Sequence, residues 1–243
     1  MLLAGLTQAT RIELGKVASA RAGRWLIIAS AAVGLMVAVI VGLTAEGLTF
    51  SLASFYVQST ISLPLPFVSI LLITRDFDRR ALSQTYMPIT SASRMVAAKL
   101  VASMIIALIA ASYGIVLSVL VTNFAPTAAE EPWHGVGIIM IGSALVQLIA
   151  QLTGAGCGLL LGSNLAAMVA DVAVPLGLWL VSGAVTGLRG VQVWLTPFAV
   201  VEKLLSGQMD AQDWAQVGIV AFVWIVGLNA AGILRLIAPL SHR

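Results

Sequence analysis

Few side chains in this 243-residue chain are suited to chemistry, and their spacing assembles no reaction centre. No G-x-x-x-x-G-K-[ST] run occurs, so the chain carries no phosphate cradle of its own. It has no H-E-x-x-H pair for zinc and no G-x-S-x-G nucleophile turn. An aspartate-rich signature for a divalent metal and a phosphoalcohol is also missing. His134 and His242 fall near opposite membrane faces in the map given below and cannot share an ion. The pair Glu130 and Glu131 lacks the metal histidines of an intramembrane protease. The lone cysteine, Cys157, lies in an apolar run, reads as a small packing residue and excludes an intramolecular disulfide. The expectation is a non-catalytic chain that holds no metal or cofactor.

The dense group of charges is Arg75 to Lys99, RDFDRRALSQTYMPITSASRMVAAK, with five cations and two carboxylates between long apolar runs. A charge at the centre of a bilayer costs about 2.5–3.5 kcal/mol or more, so this stretch belongs outside the hydrocarbon. Phe77, Leu82, Tyr86 and Met87 are interleaved with Arg75, Asp76, Asp78, Arg79 and Arg80, and Pro88 follows. Apolar anchors among charges are the composition of a docking surface. Cations that served only to orient the chain in a membrane would not require the aromatics.

The elements that position these residues are membrane spans. The chain is 60% hydrophobic and 9% charged, against about 25% charged for a soluble domain. Such a composition cannot cover a water-facing surface. Spans of about 20 apolar residues are predicted at 25–45, 48–74, 97–122, 136–162, 165–187 and 214–237, forming a single all-α membrane domain over 1–243. Residues 1–24 are predicted to form an amphipathic helix along the inner membrane surface. Leu2, Leu3, Leu6, Leu14 and Val17 share one side and Gln8, Arg11 and Ser19 the other, with Glu13 on the apolar side. No cleaved signal peptide is expected. Between spans five and six, Thr196 and Pro197 should cap and start a short helix at the outer interface. Asp213 with Gln216 resembles a capping box opening the sixth span.

The charges orient this map. With both termini cytoplasmic, the inner segments hold 11 of the 13 Lys and Arg residues. The outer loops hold Arg189 and Lys203 against Glu46, Glu130, Glu131, Glu202, Asp210 and Asp213. That satisfies the positive-inside rule.

Within the spans, Pro64 and Pro66 should kink or unwind the second helix, as a hinge or as a static bend. Pro175 in the fifth span is a further candidate hinge. Ala150, Gly154, Gly158 and Gly162 recur every four residues and form a small-residue stripe for close helix packing. Gln58, Gln147, Gln151, Asp171 and Asn229 are polar side chains inside spans. They are candidates for a transport pathway, and the glutamines also for interhelical hydrogen bonds. Asp171 lies near enough to a helix end to reach interfacial water.

Two stretches resemble the ABC-2 type permeases, the membrane subunits of bacterial ABC transporters. RIELGKVASAR is similar to their E-x-x-K-x-x-S segment, with Glu13, Lys16 and Ser19 in place. In the charged stretch, Asp76, Pro88, Arg94 and Lys99 fall where the family has an acid, a proline, an arginine and a lysine. Arg80 and Ala81 stand where that family commonly has Gly-Thr. The resemblance implies six spans, a cytoplasmic coupling helix between spans two and three, and half of a homo- or heterodimer in a bacterial plasma membrane. The segment 75–96 would dock an ATP-binding subunit, which would hold the ATP and Mg. The cargo would be lipophilic or amphipathic: a drug, a peptide or a lipid-linked molecule. Two other readings fit the composition. One is a proton-coupled secondary transporter with Asp171 as its titrating group, though no inverted repeat is visible. The other is a non-transporting anchor or immunity subunit that recruits a soluble partner.

Overall fold

A computed structural model describes residues 2–80, 89–126 and 128–237. The chain is a bundle of helices: α1 Leu2–Ser19, α2 Arg21–Thr44, α3 Phe50–Ser62, α4 Pro66–Arg80, α5 Ile89–Phe124, α6 Val136–Leu161, α7 Asn164–Ala184, α8 Arg189–Leu195, α9 Pro197–Leu204, α10 Ala211–Ala221 and α11 Leu228–Ile237. A single 3₁₀ turn, Thr186–Leu188, precedes α8, and a π-helical segment, Phe222–Gly227, joins α10 to α11. Among the described residues, six helical segments are long and apolar enough to cross a membrane. The chain is a multi-pass helical membrane protein.

The second span is two rods. α3 ends at Ser62 and α4 begins at Pro66, with a turn closed by the Phe67 N–H on the Pro64 carbonyl at 3.3 Å and the Val68 N–H on the Leu65 carbonyl at 3.0 Å. Pro64 and Pro66 cannot donate backbone hydrogen bonds, so the helical ladder has to stop here. Pro175 behaves differently, because α7 runs through it without interruption.

Three boundaries differ from the sequence expectation. α4 continues past residue 74 to Arg80, and α5 starts at Ile89 rather than near 97. The charges mark where hydrocarbon ends, not where the helix ends; a helix that leaves the bilayer keeps its own backbone hydrogen bonds. Leu82, Tyr86, Met87 and Pro88 lie outside the described residues. The capping box of the last span is Asp210 with Asp213, one turn earlier than Asp213 with Gln216. The Asp213 N–H donates to Asp210 Oδ1 at 2.7 Å, and the Asp210 N–H donates to Asp213 Oδ2 at 3.3 Å. Asp210 is extended and has the carboxylate a cap requires, so Asp213 becomes the third helical residue. Thr196 precedes α9 as expected, with Pro197 in the first turn, but its hydroxyl donates back to the Gln192 carbonyl at 2.9 Å and closes α8 instead.

α6 is the central post. A Cβ added at Gly154 would stand 2.8 Å from the Pro66 carbonyl oxygen, and one at Gly158 would stand 3.3 Å from Ile73 Cβ. The small-residue stripe therefore receives α4 of the same chain. Gly162 is not part of that contact. It has φ +67° and ends α6 as a left-handed cap, with its N–H on the Gly158 carbonyl at 3.0 Å. Other faces of α6 use other glycines: Gly156 lies against Leu228, and Gly142 lies against the Leu204 carbonyl at the end of α9. Opposite the charged end, the Phe50 N–H donates to the Pro132 carbonyl at 2.8 Å and the Phe50 and Trp133 rings lie 5.6 Å apart, tying the two loops together.

Gly142 tests this packing. A methyl there would sit 1.9 Å from the Leu204 carbonyl oxygen, whereas one at exposed Gly137 meets nothing within 4 Å. Gly142→Ala should lower the melting temperature of the detergent-purified chain, by about 1–3 kcal/mol of overpacking. Gly137→Ala should leave it unchanged or slightly raised.

Candidate functional site

α1 turns Thr10, Glu13 and Val17 inward, a spacing of three and four residues that marks one helix face. Val17 joins Val68, Leu72 and Ala102 in an apolar cluster, and Leu14 packs on its edge. Glu13 sits on this same face at 4% exposure, which accounts for its misfit in the hydrophobic pattern. Its Oε2 accepts a hydrogen bond from Lys99 Nζ at 2.9 Å, and its Oε1 pairs with Lys16. Lys99, only 2% exposed, also donates to the Leu72 backbone carbonyl. Ser19 donates to the Lys16 carbonyl at 3.1 Å. One carboxylate and one ammonium thus join α1, α4 and α5.

Glu13 and Lys99 belong to the two stretches of sequence singled out above, and they meet across 86 residues of chain. Their contact was not anticipated. The signal was present in two misplaced charges: an acid on the apolar face of one helix and a lysine inside an apolar run. Arg75 and Arg94 are exposed at the charged ends of α4 and α5. Asp76, Phe77, Asp78, Arg79 and Arg80 lie on the last turns of α4, so the candidate docking residues begin on the helix that forms span two after the proline break.

Four of the five polar residues proposed for a pathway are packed between helices instead. Gln147 Nε2 donates to the Gln58 carbonyl at 3.0 Å and to Gln58 Oε1 at 2.9 Å. Gln58 Nε2 in turn donates to the Ala111 carbonyl at 3.0 Å, so these amides link α6, α3 and α5. Ser69 donates to Gln151 Oε1, joining α4 to α6. Asn229 Nδ2 donates to the Leu152 carbonyl at 2.9 Å and to the Ile225 carbonyl at 2.8 Å, the latter within the π-helical segment. The reason is energetic. A buried amide left without partners costs several kcal/mol in an apolar setting, and neighbouring carbonyls and the Ser69 hydroxyl supply a partner to each, although Gln147 Oε1, Gln151 Nε2 and Asn229 Oδ1 have none among the described residues.

Asp171 is the exception. It borders an open cleft of about 810 Å³, together with Leu63 and Pro66 at the break in span two, Thr153 on α6, Trp179 on α7 and Lys203 on α9. Pro175 and Ala150 border the same cleft. The proline break, the acidic residue of the fifth span and the short helix α9 therefore meet around one space.

The buried pair has a measurable consequence. Glu13→Gln should destabilise the solubilised chain by about 3–5 kcal/mol, since it leaves the Lys99 ammonium buried without a counter-charge, and Lys99→Met should cost less because Lys16 still pairs with Glu13. The double variant should lose less than the sum of the two, as read from unfolding curves. Strict additivity would show that the two side chains do not interact.

Compared with known proteins, the chain matches no family model, no curated protein and no solved structure.

Proposed function

We propose that this chain is the membrane-spanning permease subunit of an ATP-driven exporter of the ABC-2 type, with ATP and Mg held by a separate subunit. The supporting observation is the Glu13–Lys99 link with the Leu72 carbonyl. It fastens α1, α4 and α5 to one another beside the charged segment, so a protein docked on that segment would grip three helices at once. The residues that resemble the family's two motifs are the ones that make this link.

In this reading the chain pairs with a second permease subunit in a bacterial plasma membrane, with both termini cytoplasmic. α1 lies at the inner interface and α9 near the outer one. The segment from Arg75 to Pro88 is the contact surface for the ATPase, its arginines facing carboxylates and its aromatic and aliphatic side chains filling pockets. ATP-driven closure of the two ATPases moves α4 below the proline break, while α3 above it keeps its own packing. A proton-coupled transporter is the second reading, favoured by one observation: Asp171 borders the cleft. Co-purification of an ATPase with the tagged chain, and transport that stops without ATP, separate the two.

Two outcomes are expected. Reversing Arg75, Arg79 and Arg80 together to Glu should leave membrane insertion intact, reduce ATPase co-purification and abolish ATP-driven transport. A triple variant that binds the ATPase and transports like the parent protein would remove the docking role. For the orientation, a cysteine introduced at Glu130 should react with an impermeant maleimide on intact cells. One at Gln8 should react only after permeabilisation, while native Cys157, buried in α6, stays silent.

A further inference from the structure

The cleft beside Asp171 has a charge and hydrogen-bonding character that points to a class of ligand. On α7 the buried residues are Ala167 and Pro175, and Asp171 falls midway between them at four-residue spacing. It therefore lies on the inward stripe of a helix whose remaining surface is largely exposed and apolar. Among the described residues Asp171 has no ion-pair partner.

The rest of the lining favours positive charge. Its charged members are Asp171, Glu202, Asp213 and Lys203. Lys203 is engaged by Asp213, which leaves the carboxylates in excess and no free cation among the described residues of the wall. Phe55, Trp179 and Phe198 add aromatic rings, whose faces attract cations. Two further residues, Ser59 and Thr153, border the cleft, and their hydroxyl oxygens are buried and lack a hydrogen-bond partner. Thr153 itself is only 4% exposed. A buried hydroxyl without a partner can donate one hydrogen bond and can also accept one from an N–H group. From Asp171 to Trp179 the cleft follows α7 for about 12 Å at 1.5 Å per residue, long enough for an alkyl or aryl body.

We infer that this cleft binds a lipophilic amine in its protonated form. The ammonium would sit against Asp171 with N–H groups donated to the Ser59 and Thr153 hydroxyls, and the apolar body would run along Pro175 and Trp179. An anionic amphipath would meet the excess carboxylates, and a neutral one would leave Asp171 without a counter-charge. As a statement about cargo this rests on the permease reading. As a statement about binding it concerns the chain alone.

The test is equilibrium dialysis of the full-length chain in detergent, without ATPase or nucleotide, against radiolabelled dodecylammonium, dodecanol and dodecanoate, with protein-free micelles subtracted. Dodecylammonium should bind saturably and about tenfold or more tighter than dodecanol, as expected for a unit charge pair screened by a partly wet protein, and dodecanoate should bind most weakly. Asp171→Asn should abolish the preference for the amine while leaving dodecanol binding unchanged. Equal binding of the three ligands would overturn the inference. So would a preference for dodecanoate, an absence of saturable amine binding, or an Asp171→Asn variant that keeps the amine preference. The ligand series on the unaltered chain decides the matter even if the variant fails to fold. Because no ATPase is present, a negative result here leaves the permease reading to its own co-purification test.

Discussion

A lysine ammonium cannot be taken out of water in a lipid-solvated bundle unless a counter-charge and further acceptors go with it. The penalty is several kcal/mol per ion even after relaxation. Lys99 meets that condition through Glu13 and the Leu72 carbonyl, and the seating of α1 on α4 and α5 depends on it. α1 is only weakly amphipathic, yet it packs against α5, α2 and α4. A slip of α1 by one turn would leave its acid buried opposite nothing and Lys99 without its carboxylate. The pair thus sets register, while the apolar cluster around Val17, Val68 and Leu72 supplies the area buried.

The rest of the bundle is held by different means. There is no comparable buried ion pair among the described residues; instead, small side chains let backbones approach. Gly154 and Gly158 bring α4 onto α6, Gly156 brings Leu228, and Gly142 brings the end of α9. Between them run amide links from Gln58, Gln147, Gln151 and Asn229. In lipid there is little hydrophobic gain in pressing one apolar helix on another, so van der Waals contact and interhelical hydrogen bonds carry the association. The chain uses both along one helix.

The helical class, the six spans and the break at Pro64 and Pro66 were legible in the sequence because composition and proline chemistry act locally. The extension of α4 to Arg80 was not, since hydropathy reports solvent rather than backbone conformation. The polar residues inside spans divided along a similar line. A glutamine or asparagine reads the same whether it faces a pathway or a neighbouring carbonyl, and only packing distinguishes the two. Asp171 was noticed for its charge, but Ser59 and Thr153, which border the same cleft, come from two other helices and carry no local sign of meeting it. Glu13 was visible as a misfit. Its partner required knowing that α1 lies across α5, which is a property of the tertiary fold.

The Glu13–Lys99 contact also constrains how the protein is made. Synthesis delivers the glutamate first and the lysine 86 residues later, after two spans have been completed. During that interval the counter-ion within reach of Glu13 is Lys16, three residues along the same helix. The link that fixes α1 on α4 and α5 therefore forms only after α5 has been made.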